Sequence, residues 1–297
     1  MDLISIDSLT DAQIADILDS ADRFLDDWRS TNRDSDDRLK GKIVFNLFYE
    51  NSTRTLMSFS TAAHRLGASV VTLPVEQSSV KKGETLEDTA RTLNAMRPDV
   101  LVTRHGENGA PAVVASIVEA PVLNAGDGTN EHPTQALLDA ATIRHRLGRI
   151  EGLKVAICGD IKHSRVARSN AKLLPRLGAE IRLAGPPDLM PADLPHLSVD
   201  EAIGGADVVM MLRVQRERLE QELGDGPGEY LSRYGLTEER LDGAAKGAVV
   251  MHPGPMNRGV EIDSRIADDP ERSLIRMQVE MGVAVRMACL EMIAGES

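Results

Sequence analysis

The stretch that decides the fold is residues 43–55, IVFNLFYENSTRT, in which an apolar run leads into a cluster of hydroxyl groups around one arginine. The run Ile43–Phe48 is rich in β-branched and aromatic residues and follows Gly41, which predicts a buried strand. Beyond it, apolar side chains recur at the spacing of one helix face: Leu56, Phe59, Ala63 and Leu66. Ser52–Thr55 are therefore expected where a strand gives way to a helix.

This junction has the chemistry of an anion site. The first amides of a helix lack intrahelical acceptors, and the macrodipole makes that end positive. An ordinary N-cap needs only one side chain such as that of Ser52. Arg54 inside the first turn opposes the macrodipole unless an anion lies between them. The segment therefore favours a phosphate site over a plain cap.

Length, composition and charge limit the class of protein. The chain has 297 residues, of which 42% are hydrophobic, enough for one large or two modest α/β domains. Its 46 acidic and 34 basic residues give a net charge of −12, which argues against nucleic acid as a partner. An anionic substrate would therefore need a locally basic pocket.

Several features point to a cytoplasmic protein. Cys158 and Cys289 lie in apolar contexts and are predicted to be buried thiols in a reducing compartment. Residues 1–5 show neither a basic segment nor an apolar core, so we expect no signal peptide. No apolar run approaches the roughly 18 residues of a membrane span, so we expect no membrane partner.

After an amphipathic helix over residues 8–30, predicted strands and helices alternate. The predicted strands are Ile43–Phe48, Ser69–Leu73, Val100–Thr103, Val122–Asn124, Lys154–Ile157, Ile181–Ala184, Val208–Leu212 and Ala248–Met251. The predicted helices cover 53–66, 84–97, 110–118, 133–147, 164–177, 200–205, 237–245 and 272–294. Such alternation predicts parallel sheets with helices on both faces. We expect two sheets, because Gly148 and Gly152 lie between the helix over 133–147 and the next predicted strand at Lys154, which indicates a hinge between two halves.

Ligands of parallel α/β sheets bind at the carboxyl ends of the strands. The polar segments that follow the predicted strands are Ser52–Thr55, Glu76–Glu84, Arg104–Gly106, Gly126–Gln135, Gly159–Arg165, Arg213–Arg218 and His252–Pro255. Most of them carry Arg or Lys although the chain is acidic. A lone arginine is usually a solvated surface charge, but this shared position predicts an anionic ligand.

The motif His132-Pro133-Thr134-Gln135 adds a second kind of chemistry. Pro133 suits the first position of a helix, which places His132 and Gln135 on one side. An imidazole beside an amide can polarise a carbonyl and hold an NH₂ group. No metal is expected, because no further ligand stands at suitable spacing from His132. A nicotinamide cofactor is disfavoured, since residues 158–160 lack the three-glycine fingerprint.

Together these motifs resemble the aspartate/ornithine carbamoyltransferase family, and within it the catalytic chains that act on aspartate. The motifs are Ser52–Thr55, Ser78–Glu84, His132–Gln135, Arg213–Gln215 and His252–Pro255. The resemblance implies an α/β fold of two domains, each a parallel sheet flanked by helices, joined by interdomain helices. Residues 1–133 plus 272–297 would bind carbamoyl phosphate, and residues 134–271 would bind aspartate.

The resemblance also implies roles for individual residues. The phosphate of carbamoyl phosphate would be held by Ser52, Thr53, Arg54 and Thr55, with Ser78 and Lys82 reaching in from a neighbouring subunit. The carbamoyl oxygen would accept hydrogen bonds from Thr55, Arg104 and His132. The carbamoyl NH₂ would donate to Gln135 and to the carbonyls of Pro253 and Gly254. The two carboxylates of aspartate would be bound by Arg165, Arg213 and Gln215, helped by Lys82.

The implied reaction transfers the carbamoyl group to the amine of L-aspartate, giving N-carbamoyl-L-aspartate and phosphate. It is the first committed step of pyrimidine biosynthesis and uses no cofactor and no metal. The family works as homotrimers with shared active sites. Residues 254–259 resemble those of members that assemble with dihydroorotase rather than with dedicated regulatory chains.

Two alternatives stay open at this point. A carbamoyltransferase for ornithine or another amino acid would share the phosphate half, but Arg213 beside Arg165 would repel the ammonium of ornithine. The ornithine-side motif His-Cys-Leu-Pro is also absent, since Pro253 follows His252. A non-catalytic subunit of a pyrimidine-synthesis complex would be indicated by loss of Arg54, Lys82 or His132, and all three are present.

Overall fold

A computed structural model describes residues 1–31, 37–74, 83–192, 197–215 and 226–295. The chain forms two compact units, one of Met1–Ala141 with Val279–Ser297 and the other of Thr142–Gln278. These divisions fall somewhat beyond the expected boundaries after residues 133 and 271.

The first unit is built on a parallel sheet of four strands in the order β2-β1-β3-β4. The strands are β1 (Ile43–Phe48), β2 (Ser69–Pro74), β3 (Val100–His105) and β4 (Val122–Asp127). The helices that begin in this unit are α1 (Asp11–Thr31), α2 (Thr53–Arg65), α3 (Leu86–Ala95), α4 (Ala110–Ala115) and α5 (Pro133–Leu147). Apolar side chains of the sheet, such as Phe45, Leu101 and Val122, pack with those of α3 and α4 to form a core.

The second unit repeats this plan with a parallel sheet in the order β6-β5-β7-β8. Its strands are β5 (Lys154–Cys158), β6 (Glu180–Ala184), β7 (Val208–Met211) and β8 (Val249–Met251). The helices that follow β5 are α6 (Arg165–Arg176), α7 (Val199–Ile203), α8 (Pro227–Tyr234), α9 (Glu238–Asp242), α10 (Ser264–Ala267) and α11 (Ile275–Ala294). The prediction of two parallel sheets flanked by helices is confirmed.

The third and fourth strands extend further than the sequence predicts. The expected ends at Thr103 and Asn124 are wrong, because β3 continues to His105 and β4 to Asp127. Parallel pairing joins Phe48 to Arg104 and His105 to Asp127, so the backbone ladder continues after the side chains turn polar. Arg104 and Asp127 are consequently strand residues and not loop residues.

Most helices are shorter than predicted, and two are new. The first begins at Asp11 and not at residue 8, because Ile6–Ser8 form a separate 3₁₀ turn. The helix predicted over 84–97 begins only after Thr85, whose hydroxyl caps it. The helices α8 and α10 are not among the predicted ones, although both begin at recognisable N-terminal residues, Pro227 and Asp263.

Two further observations concern the cysteines and the membrane. Cys158 and Cys289 are free and buried, as predicted, and burial raises the pKa of each thiol to about 12. Within the described ranges, every helix is too short or too polar to span a lipid bilayer.

Candidate active site

The N-terminus of α2 departs from ordinary helix capping. Ser52 occupies the N-cap position with an extended backbone, but its side chain makes no capping hydrogen bond. The first hydrogen bond of the helix runs from the Leu56 amide to the Ser52 carbonyl at 3.0 Å. The amides of residues 53–55 thus precede the helical ladder, and the first turn holds no acidic side chain.

Other hydroxyl residues in the same position behave differently. The side chains of Thr85, Ser164, Ser198 and Thr237 each accept a hydrogen bond from an amide of their own helix. A Ser N-cap contributes about 1 kcal/mol when it makes this bond. The Ser52 hydroxyl stays available to an outside group, which favours the anion site predicted for this segment.

Arg104, at the end of β3, is held in place by two neighbouring segments. Its Nη1 donates to the Ala125 carbonyl at 2.9 Å, and its Nη2 lies 3.3 Å from a carboxylate oxygen of Glu50. Only 11% of the side chain is exposed. The guanidinium is therefore fixed between the end of β1 and β4.

A buried carboxylate organises the turn from β4 to α5. One oxygen of Asp127 accepts from Asn124 Nδ2 at 2.8 Å and from the Glu131 amide at 3.2 Å. The other oxygen accepts from the Gly109 amide at 2.7 Å and from Asn130 Nδ2 at 3.0 Å. Four donors on one carboxylate fix the path of the chain into His132.

The motif that follows this turn is almost entirely buried. His132 is 4% exposed, and its carbonyl accepts from the Gln135 amide at 2.9 Å to start α5. Gln135 is 8% exposed and donates its Nε2 to the carboxylate of Asp139 at 3.0 Å. Gly128 has φ +44°, and a Cβ there would lie 3.0 Å from the backbone nitrogen of Asn108 and 3.0 Å from the carbonyl oxygen of Gly106, so the turn requires glycine.

Sheet order brings these groups together. The carboxyl ends of β1, β3 and β4 are adjacent because the three strands are parallel neighbours. The predicted residues at this edge are Ser52, Thr53, Arg54, Thr55, Arg104, His132 and Gln135. Ser78 and Lys82 lie outside the described residues.

The corresponding edge of the second sheet carries the remaining predicted residues. Arg165 is the first residue of α6, which follows β5 and is capped by Ser164. Arg213 and Gln215 follow β7 and are exposed. Pro253 and Gly254 follow β8. The strands β5, β7 and β8 are neighbours, so their carboxyl ends lie at one edge.

The segment Arg213–Gln215 is anchored by its middle residue. Val214 is fully buried and packs against Leu189, Tyr230 and Val260. Its carbonyl accepts from Asn257 Nδ2 at 2.9 Å. Tyr230 lies on α8, so the missed helix supports this segment.

His252 holds the turn after β8 through two hydrogen bonds of its buried ring. Its Nδ1 accepts from the Gly254 amide at 2.9 Å, so the proton lies on Nε2, which is 3.1 Å from Glu261 Oε1. The side chains of His252 and Glu261 are fully buried. In the sequence, His252 stands out only as part of a motif, and Glu261 resembles a surface charge.

No group of three or more His, Cys, Asp or Glu residues in the described part of the chain could hold a metal ion.

The chain is similar to known proteins over nearly its whole length. The sequence model for the aspartate/ornithine carbamoyltransferase carbamoyl-P binding domain matches residues 1–145. The model for the Asp/Orn binding domain matches residues 151–293.

Individual relatives carry names of one kind. The aspartate carbamoyltransferase catalytic subunit of Rhizorhabdus wittichii is 58% identical over 98% of this chain and 94% of its own length. That of Rhodospirillum rubrum is 56% identical over 99% and 93%.

Solved structures agree on the fold. Aspartate transcarbamoylase of Trypanosoma cruzi in complex with aspartate and phosphate has a TM-score of 0.85, with 34% identity, and the match covers 97% of this chain and 94% of that one. Ornithine carbamoyltransferase of Pyrococcus furiosus has a TM-score of 0.88 with 27% identity, covering 100% and 97%.

Proposed function

The chain belongs to the aspartate/ornithine carbamoyltransferase family, and from that premise we propose that it is an enzyme that carbamoylates L-aspartate. It transfers the carbamoyl group of carbamoyl phosphate to the amine, giving N-carbamoyl-L-aspartate and phosphate for pyrimidine biosynthesis. The observation that carries the proposal is the N-terminus of α2, where the Ser52 side chain makes no capping hydrogen bond and the first turn holds no acidic residue.

The choice of aspartate over ornithine is supported by charge. Arg165 and Arg213 both lie at the carboxyl edge of the second sheet, where two carboxylates would form charge-assisted hydrogen bonds with them. The side-chain ammonium of ornithine would meet these cations as a like charge. The names of the relatives that are more than half identical support the same choice.

Each predicted site residue has a proposed role. The α2 amides, Ser52, Thr53, Arg54 and Thr55 bind the phosphate. Arg104, Thr55 and His132 donate to the carbamoyl oxygen. Gln135 accepts from the carbamoyl NH₂, as do the carbonyls of Pro253 and Gly254. Arg165, Arg213 and Gln215 bind aspartate, and we retain Ser78 and Lys82 as phosphate ligands.

The chemistry needs no covalent intermediate on the protein. The amine attacks the carbamoyl carbon and an oxyanion forms. The C–O bond then breaks with its electron pair leaving on phosphate, and the attacking nitrogen releases one proton. Positioning of two reactants contributes on the order of 7–11 kcal/mol in model systems. One oxyanion donor contributes about 3–4 kcal/mol. Arg104 and His132 supply that second effect from buried, fixed positions.

A colorimetric assay for carbamoyl amino acids, run with aspartate and ornithine in parallel, tests the proposal. We expect product only with aspartate, and Arg54→Ala should abolish it. Arg265→Ala, which removes an arginine that is 77% exposed, should leave the rate unchanged. Faster turnover of ornithine, or no turnover of either, would refute the proposal.

We also propose a cytoplasmic homotrimer in which Lys82 completes the site of a neighbouring subunit. Two inactive variants, Arg54→Ala and Lys82→Ala, can be mixed after dissociation. If the site is shared, about a quarter of the sites regain both residues, because each of two independent choices is right half the time in a ring. If Lys82 serves its own subunit, every site keeps one lesion, and activity stays at background after confirmed exchange.

A further inference from the structure

A buried carboxylate on α5 controls the side chain of Gln135. Asp139, which is fully buried, accepts from Gln135 Nε2 at 3.0 Å, and the two residues are one helical turn apart. An ionised carboxylate has only acceptors. The amide must therefore turn its NH₂ group toward Asp139 and direct its Oε1 away from it.

A buried cation accompanies this carboxylate. Arg286 on α11 is 4% exposed, and its Nη1 donates to Ser58 Oγ of α2 at 2.8 Å and to the Gly282 carbonyl at 3.1 Å. Burial lowers the pKa of Arg286 to about 10, and the negative charge of Asp139 is among the effects that oppose this. The guanidinium is thus charged at neutral pH. A positive charge close to a carboxylate favours its ionised form.

Close helix packing gives this cation its place. A Cβ on Gly282 would lie 2.8 Å from Arg286 Nη1 and 3.2 Å from Leu138 Cδ2 of α5. Because Gly282 has no side chain, there is room for the guanidinium where α11 approaches α5. The arrangement is built into the core.

We propose, on the basis of the proposed function, that Asp139 is a positioning residue that makes the site select a carbamoyl group over other acyl groups. By fixing Gln135 Oε1 as an acceptor, it creates a site that an NH₂ group satisfies. The methyl group of acetyl phosphate, which has the same shape, would leave that acceptor desolvated and unpaired. A site built to accept from an NH group rejects analogues that lack it far more strongly than an apolar pocket does.

The test uses Asp139→Asn, which keeps the shape but can donate, so that the orientation of Gln135 is no longer enforced. The measured quantity is the ratio of the Ki of acetyl phosphate to the KM of carbamoyl phosphate. We expect this ratio to fall by about 10- to 100-fold. A general loss of packing would weaken both acyl phosphates together and leave the ratio unchanged, which would overturn the proposal.

A double-mutant cycle shows whether Asp139 acts through Gln135. In a Gln135→Met background the ratio should already be low, and Asp139→Asn should lower it no further. An equal effect in both backgrounds would refute the mechanism. If wild type transfers no carbamoyl group at all, the proposed function fails; if it does and the ratio is unaffected, only this inference fails.

A measurement on the wild-type protein covers the case in which Asp139→Asn does not fold. In protein labelled with ¹⁵N-glutamine, the side-chain NH₂ of Gln135 should exchange with deuterium far more slowly than that of exposed Gln215, without any ligand present. Equal exchange rates for the two side chains would contradict the fixed orientation.

Discussion

The two sheet edges that carry the predicted site residues hold them by different means. At the edge of β1, β3 and β4, Arg104 and His132 are buried and belong to, or directly adjoin, regular elements. At the edge of β5 and β7, Arg213 and Gln215 are exposed, and buried Val214 anchors them. The first edge holds its site residues by burial and regular backbone structure, whereas the second exposes Arg213 and Gln215 on either side of one buried anchor. Substitutions at the two edges should therefore change different kinetic constants.

The largest effect is expected at the second edge. Arg213→Ala should raise the KM for aspartate by a factor of about 30 to several thousand, because loss of one partner of a charge pair costs roughly 2–5 kcal/mol. The KM for carbamoyl phosphate should change less than about twofold. Steady-state titration of each substrate measures both constants. Equal weakening of both substrates would show that the two edges do not divide the substrates between them.

The next largest effect is expected at the first edge. His132→Ala should lower kcat by about 10²–10³, the range for loss of one oxyanion donor. Substrate affinities should change little, because the hydrogen bond strengthens as charge develops on the oxygen. Mass spectrometry of the wild-type enzyme provides an independent check. A trapped phospho- or carbamoyl-histidine would mean that His132 is a nucleophile and not a donor.

A matched pair of serines sharpens the comparison further. Ser52→Ala should leave the free energy of unfolding unchanged within a few tenths of a kcal/mol, since the hydroxyl makes no cap. It should weaken phosphate binding by about tenfold, as expected for one hydrogen bond to a charged group. Ser198→Ala, which removes a capping box, should cost about 1 kcal/mol and leave the kinetics unchanged. Thermal unfolding and phosphate inhibition measure both, and a stability loss in Ser52→Ala would favour the ordinary cap.

The smallest effect is expected at Tyr230, which packs on Val214. Its buried hydroxyl makes no hydrogen bond within the described part of the chain. Tyr230→Phe should therefore change the free energy of unfolding by less than about 1 kcal/mol, in either direction. Because the ring still supports Val214, the KM for aspartate should stay within about twofold. A large rise in that KM would indicate that the hydroxyl, and not the packing, positions Arg213.

The sequence predicts the elements of this fold better than their ends. Runs such as Ile43–Phe48 identify strands because burial on both faces demands continuous apolar residues. Arg104 and Asp127 do not fit that pattern, because backbone pairing with neighbouring strands extends the strands beyond their apolar residues. The helix α8 is missed because its Pro227 start lies in a stretch rich in glycine and acidic residues.

The site residues likewise divide into those that the sequence marks as candidates and those that it does not. Ser52–Thr55 and His132–Gln135 are predictable because hydroxyls, a cation and an imidazole at strand ends have an evident chemistry. Asp127, Asp139 and Glu261 are not, since an isolated acidic residue in a sequence is usually a solvated one. Their burial is produced by helices and strands that are distant in the sequence. Near Asp139, for example, α11 packs against α5.

The open first turn of α2 has a consequence for the lifetime of the protein in the cell. Any phosphate-bearing ligand that fills the turn binds the native state alone, so it raises the free energy of unfolding by RT ln(1 + [L]/Kd). At a hundred times Kd this amounts to about 2.7 kcal/mol, more than an ordinary N-cap contributes. The missing cap is supplied by substrate and, after turnover, by the phosphate product. The enzyme should therefore resist proteolysis best while phosphate is plentiful, which links its lifetime to metabolic state.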